Sequence, residues 1–96
     1  MNIEKAIHEA QELVTIHKIG DQWGMTSWND ALKGHQVSGP WDYKKALKMQ
    51  RGRRIEYALK LLEFSDNDAL GAAYDSEDYD GSWREFVKER VNDATR

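Results

Sequence analysis

Apolar residues near the start of the chain recur at helical intervals. Ile3, Ala6, Ile7, Ala10, Leu13, Val14 and His17 are three or four positions apart and fall on one face of an α-helix. Asn2 is suited to cap its start, Gly20 to end it in a left-handed conformation, and Glu4, Glu9, Glu12 and Lys18 take the outer face. The pattern predicts a helix over 3–19.

Between residues 20 and 40 the periodicity breaks. Four glycines fall there, with Trp23 and Trp28 among them. Ser27, with Asp30 three positions on and Gly34 as a stop, predicts a short helix over 28–33. Ser38-Gly39-Pro40 is a further start signal, because a proline at the first helical position gives up only an N–H that has no partner. The helix that follows, over 41–64, holds no breaker except Gly52. Tyr43, Ala46 and Leu47 point one way, while Ile55, Ala58, Leu59 and Leu62 centre about a quarter-turn away. The helix therefore bends near Gly52 or changes packing partners along its length. Ser65-Asp66-Asn67-Asp68 closes it and caps a short helix over 67–74. Ser82-Trp83-Arg84-Glu85 is a full capping box and opens a last helix over 83–94, with Trp83, Phe86, Val87, Val91 and Ala94 inward. No stretch alternates with period two for long enough to predict a strand. The expectation is an all-α fold in one domain, 1–96: a compact bundle of three main helices (3–19, 41–64, 83–94) and two short ones (28–33, 67–74).

Composition shapes the expected core. Leu, Ile, Val and Phe make up 18 of 96 residues, a thin aliphatic supply that four Trp and four Tyr offset. With no cysteine, disulfides and thiolate zinc sites are excluded. Apolar runs are too short to cross a bilayer and the first residues lack a signal-peptide plan, so an intracellular, cytoplasmic protein is expected.

Charge is segregated beneath a formal net of −3. Residues 43–60 carry Lys44, Lys45, Lys48, Arg51, Arg53, Arg54 and Lys60 against one acid, Glu56, whereas residues 61–83 carry seven acids and no Lys or Arg. The basic helix can neutralise phosphates through Lys44, Lys45, Lys48, Arg51, Arg53 and Arg54, with Trp41, Tyr43 and Tyr57 available to stack on bases. Yet no helix-turn-helix, zinc-finger or RNA-binding signature accompanies it.

Catalysis finds little footing. His8, His17 and His35 have no recognisable nucleophile beside them, no residue stands out as a general acid or base, and neither a phosphate loop nor His-Glu-x-x-His is present. Setting Gly81 at position 6 of a calcium loop aligns Ser76, Asp78 and Asp80 with ligand positions, but Val87 falls where a bidentate Glu is required. The chain reads as a non-enzyme with no cofactor or metal.

The stretch Ala72-Ala73-Tyr74-Asp75-Ser76-Glu77-Asp78-Tyr79, followed by Phe86, resembles the acidic tyrosine-containing segment of plasmid antirestriction proteins of the ArdA type. Those proteins cover themselves with carboxylates in imitation of DNA. The resemblance spans about a fifth of the chain, and the basic helix departs from it. It implies an acidic face that occupies a basic groove on a partner.

Together these features point to a small interaction protein that binds and modulates a larger protein, as phage and mobile-element accessory factors do. Its expected anchors are Trp23, Trp28 and Trp41, and its expected charged contacts either Asp75, Glu77, Asp78 and Asp80 or Arg51, Arg53 and Arg54. The alternative is a nucleic-acid-binding module using the helix 44–60. A third reading is self-assembly, since opposite charges can pair between copies; a membrane role is not expected.

Overall fold

The computed structural model describes residues 2–29, 32–64 and 83–94, and it is α+β rather than all-α. The order of elements is α1 (Ile3–Leu13), β1 (Val14–Ile19), β2 (Gln22–Asn29), β3 (Gly34–Trp41), α2 (Tyr43–Leu61) and α3 (Trp83–Ala94). Three antiparallel strands form a sheet in the order β1-β2-β3. The expected helical bundle is thus corrected at its centre: residues 14–19, 22–29 and 34–41 are paired strands. The helix expected over 3–19 ends at Leu13, and the short helix expected over 28–33 is contradicted at Trp28 and Asn29, which belong to β2. The short helix expected over 67–74 and the capping residue Ser82 lie outside the described residues.

Local chemistry accounts for the change. Helix α1 begins where expected, with the Asn2 side chain accepting a hydrogen bond from the Lys5 N–H at 2.8 Å. It stops at Leu13 because the next residues, Val14, Thr15 and Ile16, are β-branched and suit a pleated, half-buried strand. Gly20 has a left-handed φ of 61°, but it occupies the first position of the two-residue hairpin loop Gly20-Asp21 instead of ending a helix. Pairing runs from Ile19 opposite Gln22 to Val14 opposite Ser27. In the second hairpin the register slips between Met25 and Trp23, so that Gly24 faces both Gly39 and Pro40, and Trp41 comes to lie opposite Trp23.

Helix α2 connects the two halves of the core. Tyr43 in its first turn meets Trp23, and Arg53 reaches the Trp28 carbonyl. Ten helical residues rise about 15 Å and five strand residues about 17 Å, so α2 runs alongside β2 nearly in step. Its second half packs Ile55, Ala58 and Leu59 with Ile7 and Ala10 of α1 and Val87 of α3. That exchange of partners explains why the two halves share no apolar face. Gly52 lies buried within a continuous helix. The last helix, Trp83–Ala94, has the expected span. No helix among the described residues is long and apolar enough to cross a membrane.

Candidate partner-binding site

The sheet register gathers at one end of β2 the residues most suited to binding. Lys18 of β1, Trp23 of β2 and Trp41 of β3 lie opposite one another across the three strands. Tyr43 follows two residues after Trp41 and packs against Trp23 with ring centroids 4.9 Å apart at a tilt of 54°. One turn further along α2 stands Leu47. Tyr43 is 52% exposed and Leu47 41%, while Trp23, on which Tyr43 rests, and Trp41 opposite it are partly buried. Lys44 is exposed beside Tyr43 in the same first turn, Lys45 is exposed on the opposite side of the helix, and Lys18 is exposed on the strand side. The patch is an aromatic and aliphatic surface rimmed by lysines.

Asp42 positions the helical part. Its carboxylate accepts from the Lys45 N–H at 2.8 Å and caps α2, where a negative charge also suits the positive end of the helix dipole. The expected start at Trp41 after Pro40 is displaced, since Pro40 and Trp41 belong to β3. Asp42→Ala is expected to lower stability by about 1 kcal/mol in urea denaturation followed by circular dichroism.

Trp28, grouped above with the other tryptophans, is not part of this patch. It lies five residues along β2 from Trp23, packs against the helical core and meets His35 edge-on at 5.4 Å. The basic set divides as well. Arg54 donates from Nε to the Val14 carbonyl at 2.9 Å and from Nη2 to the Gln11 carbonyl at 3.1 Å, and its guanidinium lies 5.8 Å from the Trp83 ring centroid. Burial, with Arg84 nearby, lowers its pKa below the usual guanidinium value. Arg53 donates to the Trp28 carbonyl at 3.2 Å and pairs with Glu56 at 3.0 Å. These two arginines therefore brace the fold, while Lys44 and Lys45 face solvent; Lys48 and Arg51 are half-buried. Tyr57, named above for base stacking, is buried in the core and unavailable to a ligand. Asp75, Glu77, Asp78 and Asp80, with the stretch resembling antirestriction proteins, lie outside the described residues.

The histidines are dispersed. His8 is on α1, 3.6 Å from Glu12; His17 is in β1, with Nδ1 3.4 Å from Thr26 Oγ1; His35 is on β3 beside Trp28. Among the described residues no group of three His, Asp or Glu is placed to hold a metal ion.

Tyr43, Leu47 and Lys18 were not singled out as partner-binding residues from the sequence. Two signals bear on them: Tyr43 and Leu47 are four apart on a helix, and a Gly20-Asp21 hairpin places Lys18 opposite Trp23. Compared with known protein families, curated proteins and solved structures, the chain matches none.

Proposed function

We propose that this chain is a non-catalytic interaction module that docks on a larger protein through the patch formed by Trp23, Trp41, Tyr43 and Leu47. The observation that carries this reading is the exposure of Tyr43 and Leu47 one turn apart, with Tyr43 packed on the partly buried Trp23. Isolated apolar side chains are ordinary at a surface, but a contiguous apolar patch with a polar rim marks an interaction site. Tryptophan and tyrosine are also the residues that dominate binding energy at such sites. The rim defines the partner's chemistry. Lys18 and Lys44 favour an apolar surface edged by carboxylates, and opposite charge there accelerates association and aligns the two molecules. An aliphatic leucine at the centre favours protein over a stacked nucleic acid, which has no use for it.

The test compares affinity capture from cell extract by the wild-type chain, Leu47→Glu and the pair Lys44→Glu with Lys45→Glu. Leu47 and both lysines are exposed, so circular dichroism should remain unchanged. A protein retained by the wild type and reduced at least about tenfold by Leu47→Glu is the expected result. Capture indifferent to both variants removes the patch from the site. Labelled oligonucleotides titrated at about 50 and 200 mM salt separate the other class. Binding that collapses at the higher salt and is abolished by the lysine reversals would replace the protein partner with a nucleic acid.

A further inference from the structure

Strand β3 has three open sides. It is the last strand of the sheet, and among the described residues no element pairs beyond it. His35, Gln36 and Val37, at its middle, are all exposed although consecutive strand residues point to opposite faces, and Val37 is 63% exposed. The helix layer leaves it uncovered.

Exposed edge strands present a row of unpaired N–H and C=O groups, and proteins usually blunt them with charge, proline or a bulge. The other edge, β1, is blunted: Lys18 stands on it, and the Val14 carbonyl is held by Arg54. In β3 the bulge and Pro40 interrupt only the far end, and between Lys33 and Asp42 no residue carries a formal charge. Gly34–Ser38 remains a regular, uncharged stretch paired to β2 in unbroken register.

We infer that β3 pairs with β3 of a second copy of this chain, antiparallel about a two-fold axis through Gln36, to make a six-stranded sheet. In that register Gly34 faces Ser38, His35 faces Val37 and Gln36 faces its own counterpart. An edge that meets itself must carry no charge at its centre, because like charges would then oppose directly, and this edge carries none. A perpendicular two-fold axis keeps both helix layers on one face of the joined sheet. Gln36 is exposed although it shares a face with buried Ser27, so no described helix covers the centre of the seam. Trp23, Tyr43 and Leu47 are not used by the seam, so this inference stands apart from the partner-binding patch.

Sedimentation velocity over roughly 1–100 µM tests it with the full chain. The wild type should sediment as a dimer at the upper end of that range. Gln36→Lys and Gln36→Glu should each raise the dissociation constant at least about tenfold by placing like charges across the axis. An equimolar mixture of the two should restore the dimer, which a misfolded variant could not do. A wild type that is monomeric throughout, or variants that dimerise as the wild type does, would overturn the inference.

Discussion

Replacing Arg54 with alanine is expected to lower the free energy of unfolding by about 3 kcal/mol, roughly a fifth to three-fifths of what a chain of this length has. The guanidinium joins the end of α1 and the start of β1 to the middle of α2 through the carbonyls of Gln11 and Val14, at 3.1 and 2.9 Å. Hydrogen bonds from a charged donor contribute more than neutral ones, and truncation removes both of these part-buried bonds at once. The junction is also where helix changes to strand without a connecting loop. Arg54→Lys should recover less than half of the loss, because a single ammonium cannot reproduce a fork aimed at two acceptors. Arg54→Met keeps the apolar stem and separates packing from hydrogen bonding. Arg53→Ala should cost only about 1 kcal/mol, since its bond to the Trp28 carbonyl is longer and its pair with Glu56 is partly solvated. Urea denaturation followed by circular dichroism gives all four values. A loss below about 0.5 kcal/mol for Arg54→Ala would show that the junction does not depend on this side chain.

Gly39→Ala should be comparably damaging, at about 3 kcal/mol, and should also disorder the aromatic patch. Gly39 has a φ of 112°, a conformation that L side chains rarely adopt. A Cβ there would stand 3.0 Å from the Trp23 carbonyl oxygen and 3.1 Å from the Gly24 Cα, both backbone atoms that cannot rotate away. The glycine sits in the bulge that brings Trp41 opposite Trp23, so relieving the clash shifts the register on which the patch depends. Gly20→Ala provides the control: its φ is 61°, but a Cβ there meets no atom within 4 Å, and the cost should be about 1 kcal/mol. Denaturation midpoints rank the two, and near-ultraviolet circular dichroism reports on the tryptophans. A Gly39→Ala chain with wild-type stability and an unchanged near-ultraviolet spectrum would contradict the account of the bulge.

How far the chain could be read without its structure differs from element to element. The Asn2 cap and the apolar spacing of residues 3–13 are local properties, and α1 starts as they require. The end of α1 was hidden because Val14 and His17 continue the helical spacing while belonging to a strand; three consecutive β-branched residues and the Gly20-Asp21 pair were the contrary signals. Strand β3 had weaker local signals. Its two glycines, serine and proline have little strand preference, and it is extended because β2 supplies hydrogen-bond partners along it.

The same division runs through the candidate site. Residue types and charge pattern already marked Trp23, Trp41 and Lys44 as suited to binding. Their convergence with Tyr43, Leu47 and Lys18, the separate position of Trp28 and the structural use of Arg53 and Arg54 depended on strand register and helix placement. The sequence by itself determined where α1 and α3 begin, which residues are apolar and how charge is distributed, because those follow from neighbours a few positions away. Only the tertiary structure decided that the middle of the chain is a sheet and which side chains meet, because those outcomes depend on pairing energies between segments far apart in the chain.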